Sequence, residues 1–266
     1  MQTAQPSGPA FTLEFKMPDG NVLVNTHDGQ RWIRPPYTYA GDGYATHHNA
    51  SCLVEEKFQD AYQLGIHSGH NIAGGGDIHI EWRVYQYCWA GFHAMHLDGD
   101  FVECGVNTGI CSLAVMKYCD FNKSNKKFYL FDTWEGIPMD QFTQDEKNIG
   151  LDQAHAGSYD SCFDQVKANF MPFPNAVLVK GRVPETLSQV NIEKVAYIAI
   201  DMNAVAPEIA AAEYFWPKMV SGAVMVLDDY GWLHHVHQKV AFDKFAEERG
   251  VKILNLPTGQ GILIKP

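Results

Sequence analysis

The chain has no Cys-x-x-Cys pair, no apolar run of membrane-spanning length, no excess of basic residues and no internal repeat. Each absence removes a class of function. The six cysteines are Cys52, Cys88, Cys104, Cys111, Cys119 and Cys162. Several sit in apolar runs, so buried reduced thiols are expected rather than disulfides or zinc ligands. Nothing approaches the ~18 to 20 apolar residues needed to cross a bilayer, so no membrane partner is expected. With 20 Lys and Arg against 31 Asp and Glu, the net charge is −11, which disfavours a nucleic-acid backbone as main partner. The N-terminus lacks a basic region followed by an apolar one, so no signal peptide is read and a cytoplasmic location is expected. No Gly-x-Gly-x-x-Gly occurs, which argues against a dinucleotide. At 266 residues the chain is long enough for a sizeable core.

What is there centres on Gly99-Asp-Phe-Val-Glu-Cys-Gly-Val-Asn-Thr-Gly109. Phe101 to Cys104 reads as a short buried strand, followed by a glycine turn and a helix from Ser112 to Tyr118. Strand, acid, Gly-x-x-x-Gly and helix form the first βα turn of a doubly wound nucleotide-binding fold. The turn residues Gly105, Asn107 and Thr108 lie where the backbone can approach a ligand and the helix start offers unpaired N–H groups. An acid such as Glu103 before this turn suits S-adenosylmethionine, whose amino group needs an anionic or carbonyl partner.

Upstream, Phe11–Phe15 and Val22–Thr26 flank Pro18-Asp-Gly-Asn21 and read as a hairpin. Arg31 to Gly43 reads as a loop. A helix is expected over Leu53–Leu64, a flexible segment over Gly69–Gly76, and a second helix over Ile80–Ala94. That second helix is apolar on most sides and is expected to be sandwiched between other elements. Residues 1–79 are taken as an N-terminal extension and 80–266 as the main domain. Downstream, strands are expected at Lys127–Phe131, Ala176–Val179, Val195–Ile200 and Ala223–Leu227. Helices are expected at Cys162–Phe170, Ile209–Phe215 and Val240–Glu248. Val251–Leu256 and Gly261–Ile264 read as a closing antiparallel pair. Met139–Ser161 is polar and reads as a long loop or lid. The alternation predicts an α/β fold with a mainly parallel, doubly wound sheet.

Ligands of such sheets bind outside the carboxyl ends of the strands, and here those ends carry Glu103, Asp132, Asp201, Asp228 and Asp229. Asp132 is placed to accept from ribose hydroxyls of an adenosine group. The alternative for it is a helix cap. Asp201, Asp228 and Asp229 would repel one another unless a cation sits among them, and hard oxygen ligands suit magnesium. A divalent ion there would bind a substrate hydroxyl pair, orient it and lower its pKa. His234, followed by His235 and His237, is the candidate general base beside that site. Trp32, Tyr37, Tyr39 and Tyr44 are candidates for the substrate mouth. None of His67, His70, His79, His93 and His96 has a partner at convincing metal-ligand spacing.

With these residues in place the chain resembles the macrocin O-methyltransferase family. The matching stretches are Gly99–Gly105, Phe131-Asp-Thr-Trp-Glu-Gly-Ile-Pro138, Lys180-Gly181, Tyr197–Asp201, Phe215-Trp-Pro217 and Val226-Leu-Asp-Asp-Tyr230, in order. The resemblance implies a Rossmann-like methyltransferase that uses S-adenosylmethionine and magnesium on sugar hydroxyls of natural products. It places Glu103, Gly105 and Asp132 on the cofactor and the segment after Gly181 near adenine. It matches Asp201, Asp228 and Asp229 to metal ligands, and Asp201 also to the base of some members. The chain departs from the family where Asp-x-Asp-x-Tyr-Glu is usual, since it reads Asp201-Met-Asn-Ala-Val-Ala206. The acceptor is expected to be a small molecule with a sugar-like hydroxyl. A catechol-like phenol, or cofactor binding without turnover, stays open. An oligomer is compatible with the resemblance, and nothing in the chain shows one.

Overall fold

The computed structural model describes residues 11–16, 22–27 and 36–266. Strands β1 (Phe11–Lys16) and β2 (Val22–His27) pair antiparallel, with Phe11 opposite His27, as the hairpin reading expects. The turn between them and Trp32 lie outside the described residues. The following segment holds a second small hairpin, β3 (Tyr39–Gly41) and β4 (Tyr44–Thr46), partly where a loop is expected. Then come helices α1 (Glu56–Ile66) and α2 (Glu81–Ala94).

The main body alternates strand and helix. Its elements are β5 (Asp100–Cys104), α3 (Ile110–Tyr118), β6 (Phe128–Asp132), α4 (Gln144–Asn148), α5 (Leu151–His155), α6 (Phe163–Phe170), β7 (Ala176–Lys180), β8 (Val195–Ile200), α7 (Val205–Phe215), β9 (Met219–Leu227), α8 (Val236–Glu248), β10 (Leu254–Asn255) and β11 (Gly261–Ile264). The seven-stranded sheet runs β10-β11-β9-β8-β5-β6-β7. β5 to β9 are parallel, and β11 and β10 close the edge antiparallel. Chain order reverses between β5 and β8, so the crevice where such sheets bind ligands opens above these two strands.

Side-chain alternation along the strands fills two cores. Val102, Cys104, Ile198 and Ile200 face one side, with Phe215 of α7 and Phe242 and Phe245 of α8. Phe101, Tyr197 and Ala199 face the other, with Tyr87 of α2, Leu113 of α3 and Val166 of α6. A third cluster joins α1 to α2 and α3 through Phe58, Tyr62, Val84 and Ile110. A Cβ on Gly65 would lie 2.2 Å from the Ile110 carbonyl oxygen, so glycine is what lets α1 and α3 approach this closely.

α2 is sandwiched as expected, on the sheet through Tyr87, Ala90 and Ala94 and on α1 through Val84 and Cys88, with one edge left to solvent. Val84, Tyr87 and Cys88 are buried, while Trp89 and Phe92 are 46% and 48% exposed. The 139–161 segment is not a long loop, since it carries α4 and α5. Its anchors are few but sufficient: Phe142 and Leu151 pack with Ala204. Thr143 and Glu146 form a reciprocal capping box at the start of α4. Glu146 also accepts from the Val205 N–H at 2.9 Å, so the segment caps α7 as well.

Candidate active site

Five acidic side chains stand at the carboxyl ends of four neighbouring parallel strands, around a cavity of about 430 Å³. Glu103 closes β5, Asp132 ends β6, Asp201 follows β8, and Asp228 and Asp229 follow β9. All five line the cavity, as do Gly105, Asn107 and Gly181. At Gly105 the φ is +87°, and a Cβ would lie 1.7 Å from the Asp201 carbonyl oxygen. Only glycine lets the turn run this close to the neighbouring strand end.

The turn is held by Asp132. Its Oδ2 accepts the Val106 and Asn107 N–H groups at 2.7 and 2.8 Å, and its Oδ1 accepts the Trp134 N–H at 2.6 Å. The Trp134 indole N–H donates to the Asn107 carbonyl at 2.9 Å and locks the same turn from its other side. Burial pushes the Asp132 carboxyl upward, and the three backbone donors pull it back. Most of its accepting capacity is therefore spent inside the protein rather than on a ribose. Glu103 differs. It is 3% exposed, and its Oε2 has no partner among the described residues. Burial pushes its carboxyl well up, against the pull of the nearby Ser112 hydroxyl and with reinforcement from the carboxylates of Asp228 and Asp132. A buried acid with an unmatched oxygen on a cavity wall is a fit for a cationic group such as an amino-acid ammonium.

At the other end of the cavity the three remaining acids are unequal. Asp228 carries three donors: Arg83 Nη1 donates to Oδ2, and the Tyr87 hydroxyl and Gln260 Nε2 donate to Oδ1 at 2.9 and 3.0 Å. Among the described residues Asp201 Oδ1 accepts only from Asn203 Nδ2, at 3.2 Å. Asp229 Oδ2 is buried without a hydrogen-bond partner among the described residues, 3.8 Å from His235 Nδ1. Burial, then repulsion from Asp228 and Asp229, holds the Asp201 carboxyl well above its usual range. The same causes push Asp229 up to about 7, against the pull of Arg83. Glu208, behind them at the start of α7, is pushed up to about 8 by burial and by Asp229.

The three-carboxylate magnesium site expected from the sequence does not fit this arrangement. Asp228 Oδ1 has two donors and Oδ2 is paired with Arg83, so the cation among the acids is the chain's own Arg83. Among the described residues, the side chains whose ligand atoms converge within 4.8 Å of one another are instead Asp77, His79 and Glu81. That cluster is largely solvent-exposed, and hydroxyls of Tyr62 and Tyr39 already donate to its carboxylates.

Other expectations are corrected. Thr108 does not line the cavity; it is buried and its hydroxyl bonds Ser68 at 2.7 Å. His234 is exposed and off the cavity, whereas His235 is turned inward beside Asp229 and bonded to Gln238. Tyr37, Tyr39 and Tyr44 are not on the cavity wall either, and Tyr39 and Tyr44 pack edge-on against Trp82 at 6.4 and 5.8 Å. The residues that sequence reading missed are Asp42, Arg83, Tyr159 and Trp232, all on the wall. For Arg83 a signal existed: an arginine within the apolar run Trp82–Tyr87 must find acids if it is buried.

A mainly parallel sheet that reverses between β5 and β8, with a glycine turn and an acid at each adjoining strand end, defines a Rossmann-like methyltransferase fold. The macrocin O-methyltransferase family matches residues 82–255, and the chain belongs to that family; by that membership it is an O-methyltransferase. In structure it is similar to the O-methyltransferase NovP, at 15% identity over 81% of this chain and 97% of that one, with a TM-score of 0.64. It is also similar to CalS11, a calicheamicin methyltransferase, at 16% identity over 82% and 94% of the two chains, with a TM-score of 0.54. At those identities the likeness is one of fold. No curated protein sequence matches the chain.

Proposed function

We propose that the chain transfers a methyl group from S-adenosylmethionine to a hydroxyl of a sugar or glycosylated natural product. The observation that carries this is one continuous cavity joining the unmatched Glu103 oxygen to the open carboxylates of Asp201 and Asp229. Glu103 would take the cofactor's ammonium group. Gly105 and Asn107 would lie along it, with Asp132 keeping the turn in shape and Gly181 at the adenine side. When bound, the cofactor supplies a methyl group on positively charged sulfur.

Asp201 is the base in this reading. Its raised basicity suits removal of a proton from an acceptor hydroxyl. Asp229 beside it reinforces that basicity, and Asn203 holds one Asp201 oxygen in place. Magnesium has only Asp201 and Asp229 open to it, so no metal step enters. The 1–79 extension would contribute to the acceptor end through Asp42, Ile72, Ala73 and Ile78, which line the cavity. The 139–161 segment closes the site through Tyr159 and through Asp160, which accepts from Asn71 at 2.7 Å. The six cysteines are all free thiols, which suits a reducing compartment and a cytoplasmic location.

A catechol-like acceptor is a second reading, favoured by Ile72, Ile78 and Ile80 on the same wall. The test is calorimetric titration with S-adenosylmethionine and S-adenosylhomocysteine, then methyl-transfer assays on glycosylated and catechol acceptors. Binding of both cofactor forms, with sugar methylation abolished by Asp201→Asn, is the expected result. Absence of cofactor binding refutes the proposal, and methylation of catechols alone establishes the second reading.

A further inference from the structure

Arg83 is a buried cation placed where the sequence pattern calls for a metal ion. It is 8% exposed and comes from the first turn of α2. Its Nε and Nη2 donate to the two Asp42 oxygens at 2.9 and 3.0 Å, and Nη2 also donates to the Thr258 carbonyl at 3.2 Å. Its Nη1 donates to Asp228. Four of the five guanidinium N–H bonds are thus engaged by three separate segments of the chain. Trp232 lies over the guanidinium, 5.3 Å from ring centroid to Cζ. A cation fixed on this many sides cannot swing out to admit another without leaving Asp42 and Asp228 buried and unpaired.

Resting on the methyltransferase reading above, we propose that Arg83 replaces the divalent cation in this chain, and that methyl transfer here proceeds with no bound metal. Two features fit together. Asp228, one of the three expected ligands, has both Oδ1 lone pairs taken by Tyr87 and Gln260, and its Oδ2 is left with one, beside the Arg83 guanidinium that would repel an ion there. The second acid of the family's Asp-x-Asp pattern is Asn203 in this chain, and its amide is spent on Asp201. Both changes remove negative charge from the place an ion would sit. Arg83 supplies one fixed positive charge beside Asp201 and Asp229, which limits their mutual repulsion as an ion would. Arg83 is a positioning residue here, acting through the acids.

The test is a titration of the full-length protein with Mn²⁺, read by the electron paramagnetic resonance signal of free Mn²⁺, with S-adenosylhomocysteine present. Wild type is expected to leave Mn²⁺ free, and chelator-treated enzyme to turn over as fast as untreated enzyme. Stoichiometric Mn²⁺ binding that disappears in Asp228→Asn overturns the proposal. Arg83→Gln releases Asp228, and this variant is expected to gain a Mn²⁺ site. A folded Arg83→Gln that gains none shows that Arg83 is not what excludes the ion, and overturns the proposal too. If that variant fails to fold, the wild-type titration decides alone. Calorimetric binding of S-adenosylhomocysteine in the same samples separates failure here from failure of the methyltransferase reading.

Discussion

Replacing Asp132 by Asn asks whether this carboxylate serves the fold before it serves a ligand. It accepts three backbone N–H groups at 2.6 to 2.8 Å, from Val106, Asn107 and Trp134. An amide keeps only one accepting oxygen. If that oxygen faces Val106 and Asn107, the contact to Trp134 becomes an N–H against an N–H. The opposite flip turns two contacts repulsive. Either way at least one charge-assisted bond is lost, at about 1.5–3 kcal/mol, and the survivors lose their charge. The burial that pushes this carboxyl upward offsets part of the loss. A net cost of about 3 kcal/mol follows, or roughly 6 to 12 °C in Tm for a chain of this size. The dislocated Gly105–Asn107 turn should also weaken S-adenosylhomocysteine by roughly tenfold or more, since a loss of about 1.4 kcal/mol at the cofactor is enough. Thermal melts of the ligand-free protein and calorimetric titration, run on wild type and Asp132→Asn, measure the two effects. A Tm within about 2 °C of wild type alongside lost cofactor binding would refute the clamp, because the carboxylate would then act on the ligand alone.

Two further outcomes follow from the unmatched acids. Glu103→Gln removes a buried carboxylate that has an orphaned oxygen, so the ligand-free protein should melt no lower than wild type, while S-adenosylhomocysteine weakens by about 2 kcal/mol through loss of the ammonium partner. Unchanged affinity would remove Glu103 from the cofactor site. Asp229 has a folded pKa raised from 3.8 to about 7, so the unfolded chain releases its proton first and ionisation works against the fold as pH rises from about 4 through 7. Asp229→Asn escapes that penalty, and its urea-derived stability should exceed wild type by about 4 kcal/mol at pH 8 and by about 1–2 kcal/mol at pH 5. An equal difference at both pH values would contradict this assignment.

Much of the site was legible in the chain because its parts are local. The βα turn at 99–109 is written in adjacent residues: an apolar run, an acid, two glycines and a helix. The unbroken apolar run Val195–Ile200 marks a strand buried on both faces, and the strand-end acids follow from reading where each apolar run stops. The helices of the 139–161 segment were also local. Thr143 and Glu146 stand at capping-box spacing, and the polar composition around them hid it.

What the chain alone could not decide is which distant groups meet. Arg83 and Asp228 are 145 positions apart, so no local period relates them. Their pairing exists because α2 runs along β9, from Arg83 at Asp228 to His93 at Gly222, and it changes three repelling acids into one paired and two open. His234 and His235 differ by one position, and one step of about 120° in the 3-10 turn Leu233–His235 turns the second inward and the first to solvent. Thr108 leaves the cavity for the same reason, since the turn's left-handed Asn107 aims the next side chain at Ser68. Sequence determined the sheet, the turn and the acids, because propensity and period act over a few residues. Tertiary structure decided which acids stay open and what neutralises the others, because that depends on contacts between segments far apart in the chain.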